Sequence, residues 1–266
     1  MNDPEVVRLE VDSGESLVLD WYPVRAPAPA ALFIHGLGSH RRGEKACYFA
    51  GQFNAAGRSF AALDLRGHGD SDGLARALTM TRLLADVSVA ARWTAARSAT
   101  GRTALIGASM GAAVAAWHAA RQPLATEALV LLAPSMHFPA SLTRTLDAAA
   151  LDRWRATGVQ RFSSAWIDLE IGCDLLDDAG RYSPAELRTQ LVTPALLIHG
   201  LRDTTIPWEE SAAFLRTCTR APLDLFLVGD GDHRLTAHKE LLFSILWAWL
   251  DRACRRLSWR EDGIGP

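Results

Sequence analysis

Lysine is nearly missing from this chain. Only Lys45 and Lys239 occur, so the basic side is almost all arginine, scattered rather than gathered into a patch. Lys+Arg total 28 against 30 Asp+Glu, a formal net charge of −2. Without an excess of positive charge there is no bulk field to attract phosphate backbones or anionic lipid, which disfavours nucleic-acid binding. Long apolar runs are missing as well. No stretch reaches the roughly 18 apolar residues of a membrane span. The richest segment, residues 241–250, is broken by Ser244 and followed by Asp251 and Arg252, which suits a buried terminal helix. Residues 1–10 carry Asp3, Pro4, Glu5 and Arg8 and lack the basic start and apolar run of a signal peptide. Cysteine is sparse: Cys47, Cys173, Cys218 and Cys254 are far apart and form no C-x-x-C pair. Reduced thiols and a cytoplasmic location are the expectation. The histidines are dispersed, with His233 and His238 five apart rather than at the same-face spacing of a helical zinc site, so no metal is expected.

What is there is a globular composition of 266 residues, 49% hydrophobic and 22% charged, with ample material for a core. Strand-like and helix-like periodicities alternate, which argues for a sheet covered by helices. Residues 6–11 and 16–22 read as strands joined through the turn residues Asp12, Ser13 and Gly14. Continuous apolar runs predict buried strands over 30–34, 59–65, 103–108, 128–132, 195–198 and 223–228. Helices are predicted over 44–56, 83–96, 111–121, 209–215 and 236–253, and the repeated crossovers imply a mostly parallel sheet. Residues 136–190 break the rhythm. They offer no clear buried strand but two amphipathic stretches, one with Leu142, Leu146, Leu151 and Trp154, the other with Trp166, Ile167 and Ile171. Such a length exceeds an ordinary connection. The expected organisation is therefore a core of residues 1–135 and 191–266 with a small helical cap, 136–190, inserted between two strands. Residues 260–266 are polar and Gly-rich, an end expected to fray.

Gly107-Ala108-Ser109-Met110-Gly111 falls where a buried strand meets a helix. At this glycine content a chance G-x-S-x-G is expected about 0.1 times in such a chain, before its strand–helix context is counted. A serine there occupies a strained corner that lifts its hydroxyl clear of the sheet. A hydroxyl is a weak nucleophile and needs a base in hydrogen-bond reach. His233 follows the last predicted strand, and Asp203 follows the strand before it, so both stand at strand ends that converge on a crevice in an open parallel sheet. The order Ser109, Asp203, His233 is that of a nucleophile-elbow triad. Asp232 and Asp230 compete for the acid role, but loop neighbours of a histidine point different ways. His199 is read as a structural hydrogen-bonder, His68 and His118 as loop and helix residues. The oxyanion would need two backbone donors: the N–H of Met110 and, from the loop His35-Gly36-Leu37-Gly38, the N–H of Leu37.

These pieces, with Asp64-Leu65-Arg66-Gly67-His68-Gly69-Asp70-Ser71 after the fourth strand, resemble an α/β-hydrolase-fold serine hydrolase. The match is to the serine-aminopeptidase-like and feruloyl-esterase-like branch with a compact inserted cap. The resemblance implies an eight-stranded sheet with strand two antiparallel, no cofactor, and ester or thioester hydrolysis through an acyl-enzyme. It also implies that Asp64 and Arg66 pin loops near the site. The oxyanion loop departs from the His-Gly-Gly-Gly form of many lipases. The expected substrate is a small-molecule carboxylic ester with a short-to-medium or aromatic acyl group. Alternatives of the same fold are an acyl-protein or acyl-CoA thioesterase and an aminopeptidase, for which Asp168 or Glu170 could bind the amine. A non-catalytic binding module is disfavoured by the presence of all three side chains. In the cap, Phe138, Trp154, Phe162, Trp166 and Ile171 either pack the cap onto the sheet or line an apolar acyl pocket; sequence leaves both open. The oligomeric state is not legible.

Overall fold

Side-chain alternation along the buried strands decides the layering. In β3 (Ala30–Ile34), Leu32 and Ile34 join one hydrophobic core while Ala31 and Phe33 join the other, on the opposite face of the sheet. A strand buried on both faces needs helices on both faces, and the chain supplies them. The computed structural model describes residues 3–11, 14–24, 28–164 and 166–261, with side chains to residue 254. The turn residues Asp12 and Ser13 and the end residues 262–266 lie outside the described residues.

Eight strands form one sheet: β1 (Glu5–Glu10), β2 (Ser16–Tyr22), β3, β4 (Phe60–Asp64), β5 (Thr103–Ala108), β6 (Thr126–Leu132) and, after the insertion, β9 (Ala195–Gly200) and β10 (Leu223–Val228). Their order is β1-β2-β4-β3-β5-β6-β9-β10. β2 runs antiparallel to both neighbours, and every other pairing is parallel. This is the α/β-hydrolase fold. One face is covered by α2 (Met80–Ala95) and α3 (Met110–Arg121), the other by α1 (Glu44–Ala55) and α9 (Lys239–Glu261). Helix α2 begins three residues before the expected start because the Thr79 hydroxyl accepts from Arg82 N at 3.1 Å and caps it there. Among the described residues no helix is long and apolar enough to cross a membrane.

Between β6 and β9 the chain forms α4 (Ala140–Thr143), α5 (Ala148–Thr157), a hairpin of β7 (Val159–Ser163) and β8 (Asp168–Gly172), then α6 (Asp174–Ala179) and α7 (Pro184–Gln190). The first amphipathic stretch is helical as expected. The second is not: residues 166–171 belong to the antiparallel hairpin and its turn. Gly158, left-handed at φ 78°, ends α5, and the following residues alternate by two, with Leu169 and Ile171 inward and Asp168 and Glu170 outward. Trp154, Ile171, Leu175 and Leu187 join the core that also holds α2 and α3, so the insertion shares its hydrophobic contacts with the sheet.

Charge is also buried. Arg41, 4% exposed as a residue, meets through its guanidinium Asp20 of β2 at 2.9 Å, Asp64 at the end of β4, and Asp70 at 2.7 Å. Arg42 adds a second contact to Asp20 at 2.8 Å, and Arg41 N donates to Asp64 Oδ1 at 2.6 Å. The loop after β3 is thereby fastened to two neighbouring strands. Replacing Arg41 by leucine would strip the buried Asp64 of its arginine and leave Asp20 with Arg42 alone. The expected cost is about 3–5 kcal/mol of unfolding free energy, read from the urea midpoint. A change below about 1 kcal/mol would contradict the assigned role.

Candidate active site

Strand β5 passes into α3 through a single residue. Ser109 sits at φ 51° and ψ −115°, a conformation that L-residues adopt rarely and at a cost of about 1–3 kcal/mol. The corner survives because helix and sheet approach too closely for side chains on either flank. A Cβ on Gly107 would lie 2.5 Å from Ala112 Cα, and one on Gly111 would lie 2.4 Å from the carbonyl oxygens of Ile34 and His35. Ser109 N donates to Leu132 O at 2.9 Å, tying the corner to the end of β6.

The expected partners arrive from the ends of β9 and β10. His233 Nε2 stands 3.0 Å from Ser109 Oγ, and His233 Nδ1 stands 2.7 Å from Asp203 Oδ2. The carboxylate accepts only, so Nδ1 carries the proton and Nε2 is left bare towards the serine. Asp203 Oδ1 accepts two further bonds, from Thr205 N and Ile206 N, each at 2.8 Å. Burial works against ionising Asp203, but the hydrogen bonds from His199 and His233 prevail and hold it far below the usual carboxylate range. The competing acids are engaged elsewhere. Asp232 Oδ1 accepts from Leu235 N at 2.7 Å, and Asp230 faces His238 at 3.5 Å.

The loop after β3 lies directly against this corner, since a Cβ on Gly36 would sit 3.2 Å from Ser109 Cβ. Leu37 follows in that loop, and Met110 opens α3, where an N–H has no intrahelical acceptor. Two histidines shape the loop. His68 Nε2 accepts from Gly38 N at 3.1 Å, and His35 Nε2 accepts from Leu65 N at 3.1 Å, the rings 4.9 Å apart. Both must be neutral at Nε2 to accept, and burial favours that: it pushes His35 down to about 3 and His68 downward. His68 therefore does more than fill a loop; its place in the Asp64–Ser71 segment was the available signal. That segment is anchored as the resemblance implies, Asp64 by Arg41 and Arg66 by Asp86 and Glu15.

The cap aromatics divide. Trp154 and Ile171 are fully buried, Trp154 Nε1 donating to Ile171 O at 2.9 Å, so they pack the insertion and are not the walls of an open pocket. Phe162 packs edge-on against Trp154 at 5.4 Å, and Phe138 is likewise buried. Trp166 alone is open, at 68% exposure, with the Arg234 guanidinium 4.1 Å over its ring. Arg234 adjoins His233, and Ile167 lies within about 3 Å of a Cβ built on Gly38, so the hairpin turn reaches the loop after β3 and the loop of His233 together. Asp168 gives both oxygens to Arg161 at 2.6 Å, and Glu170 faces outward. Among the described residues no group of three or more His, Cys, Asp or Glu is placed to hold a metal.

The sequence profile of the family described as serine aminopeptidase, S33, matches residues 25–169, more than half of the chain. The chain belongs to that family of hydrolases. Palmitoyl-protein thioesterase ABHD10, mitochondrial, from Bos taurus is 23% identical over 215 residues, covering 80% of this chain and 69% of the relative. Among solved structures, alpha/beta hydrolase domain-containing protein 10 from mouse aligns with a TM-score of 0.79 at 22% identity, over 93% of this chain and 99% of that one. Ferulic-acid-bound Est1E from Butyrivibrio proteoclasticus aligns with a TM-score of 0.75 at 19% identity, over 94% of this chain and 97% of that one.

Neutral buried histidines make stability fall in acid. His35 and His118 are held by burial at about 3 and about 4, below the unfolded value near 6.5. From pH 6.5 downward the unfolded chain binds protons that the folded chain refuses, until the folded values are reached. Between pH 7 and pH 5 the unfolding free energy should drop by about 2 kcal/mol for each of the two, measured by urea titration. Equal or greater stability at pH 5 would contradict the neutral assignment.

Proposed function

We propose that this protein is a serine hydrolase that cleaves carboxylic esters of short-to-medium or aromatic acyl groups, with Ser109, His233 and Asp203 as its catalytic residues. The observation that carries the reading is the unbroken hydrogen-bond chain from Ser109 Oγ through His233 to Asp203, set at a strained strand-to-helix corner. In the proposed cycle His233 Nε2 takes the Ser109 proton as Oγ attacks the acyl carbonyl carbon. Asp203 holds the Nδ1–H tautomer and stabilises the imidazolium that forms. The carbonyl oxygen, now negative, is held by the N–H groups of Leu37 and Met110. The tetrahedral species collapses, the C–O bond to the alcohol breaks, and the alcohol departs with the proton from His233. Water then gives a proton to His233 and attacks the acyl-serine; collapse returns the proton to Ser109 and releases the acid.

A thioester reading is favoured by one specific finding, the likeness to palmitoyl-protein thioesterase ABHD10. The same side chains serve it, with a thiol as leaving group. An aminopeptidase reading has less support, because Asp168 is engaged by Arg161 and Glu170 is turned to the outer face of the hairpin. Trp166, beside Arg234 and the histidine loop, is proposed to border the acyl group.

Two measurements test this. Ser109→Ala should lower hydrolysis of p-nitrophenyl acetate and butyrate, and of an acyl-thioester in parallel, by at least about a thousandfold. Retention of most activity on all of them would overturn the assignment. Trp166→Ala should flatten the kcat/KM profile across a p-nitrophenyl ester chain-length series by about tenfold at its preferred length. An unchanged profile would remove Trp166 from the acyl site.

A further inference from the structure

A second, fully buried imidazole touches the carboxylate on which this reading depends. His199 is the penultimate residue of β9, Asp203 follows four residues later, and both side chains have 0% exposure. His199 Nε2 lies 3.0 Å from Asp203 Oδ2 and 3.0 Å from Ile206 O, while its Nδ1 lies 2.7 Å from Ser211 Oγ on α8 (Glu209–Thr217). The first two partners can only accept, and the third can donate, so Nε2 bears the proton and Nδ1 accepts from the serine hydroxyl. Oδ2 of Asp203 thus receives N–H bonds from two histidines at once, and Oδ1 receives two from the backbone.

We propose that His199 is a positioning residue for the hydrolytic chain, fixing the Asp203 carboxylate and tempering its pull on the proton of His233. The inference rests on the serine-hydrolase reading and deepens it. A donor on Oδ2 draws charge away from the atom that faces His233, so protonated His233 gains less from Asp203 than it would beside an otherwise free oxygen. The donor also removes a rotational freedom: with Oδ1 held by two amides and Oδ2 by His199, the carboxylate keeps one orientation while His233 moves protons.

Other charged groups on the surrounding elements are engaged elsewhere. Glu210 of α8 is bound by His137 at 2.8 Å and by Arg144. Lys45 of α1 donates to Arg234 O, Arg234 covers Trp166, and Asp232 and Asp230 are held by Leu235 N and His238. Arg202 and Glu209 are exposed. Among the described residues, His199 and His233 are the titratable side chains that hydrogen-bond to Asp203.

The test compares His199→Leu, which deletes the donor, with His199→Gln, whose amide N–H can occupy the Nε2 position, and with Ser109→Ala. For His199→Leu, kcat/KM on p-nitrophenyl butyrate at pH 7 should fall at least about tenfold with KM little changed. The acid limb of its pH profile should move up by about half a pH unit or more. His199→Gln should keep the wild-type limb and most of the rate. A His199→Leu enzyme with a wild-type limb and rate overturns the proposal, as does a His199→Gln enzyme as impaired as His199→Leu. Should the leucine variant not fold, 15N chemical shifts of the wild-type protein decide: a protonated Nε2 on His199 supports the proposal, and a bare one overturns it. Turnover by Ser109→Ala would sink the serine reading and this inference with it. An inert Ser109→Ala beside an unaltered His199→Leu sinks this inference alone.

Discussion

The close approach of α3 to the ends of β3 and β5 is the contact on which everything else depends. With helix backbone packed against strand backbone at Gly107 and Gly111, the chain has no room to leave β5 gradually and must turn within one residue. That residue is Ser109, and its positive φ is imposed by the packing on both sides rather than by any local preference of serine. The same proximity brings the β3 loop against Ser109 through Gly36. The strained backbone at Ser109 and the nearness of the β3 loop are therefore one feature of packing.

Around that corner the protein solves two electrostatic problems with different residue types. Buried carboxylates that tie strands together are matched by arginines, whose planar fork reaches several oxygens at once: Arg41 meets three aspartates, and Arg66 meets Asp86 and Glu15. The scarcity of lysine fits this use, because a single ammonium could not span such partners. Where a loop amide needs an acceptor and no charge is wanted, neutral histidine serves instead, as with His35 and His68 beneath the proposed oxyanion loop. His199 extends the pattern to a donor, giving its N–H to a carboxylate from a site with no access to water.

Much of the architecture is legible in sequence because the central strands are continuous apolar runs and the glycine-flanked Ser109 marks a corner that few other contexts require. The chain order of Ser109, Asp203 and His233 is equally readable, since strand ends in a parallel sheet share one rim. What escapes has physical causes. The β7–β8 hairpin is missed because Trp166, Ile167 and Ile171 fit a helical face as well as a strand, and only five residues of alternation mark each strand. For Trp154 and Ile171, packing and pocket lining stay equally open, because sequence reports apolar surface but not its direction. His199 is identifiable as a hydrogen-bonding residue, yet its partner is not: a separation of four across an irregular loop places the two side chains together only once the loop has folded on Ile206.

The position of the insertion sets the order in which the centre is assembled. β6 pairs with β9, so roughly sixty residues must be synthesised and looped out before the sheet can extend past β6. Ser109 lies before that gap, whereas Asp203 and His233 lie beyond it. On the ribosome the serine corner is therefore emitted well ahead of the two side chains it hydrogen-bonds through, His233 and Asp203. Until β9 arrives, the nascent domain presents β6 as an unpaired hydrophobic edge, the stage at which it is most exposed to self-association or to capture by a chaperone.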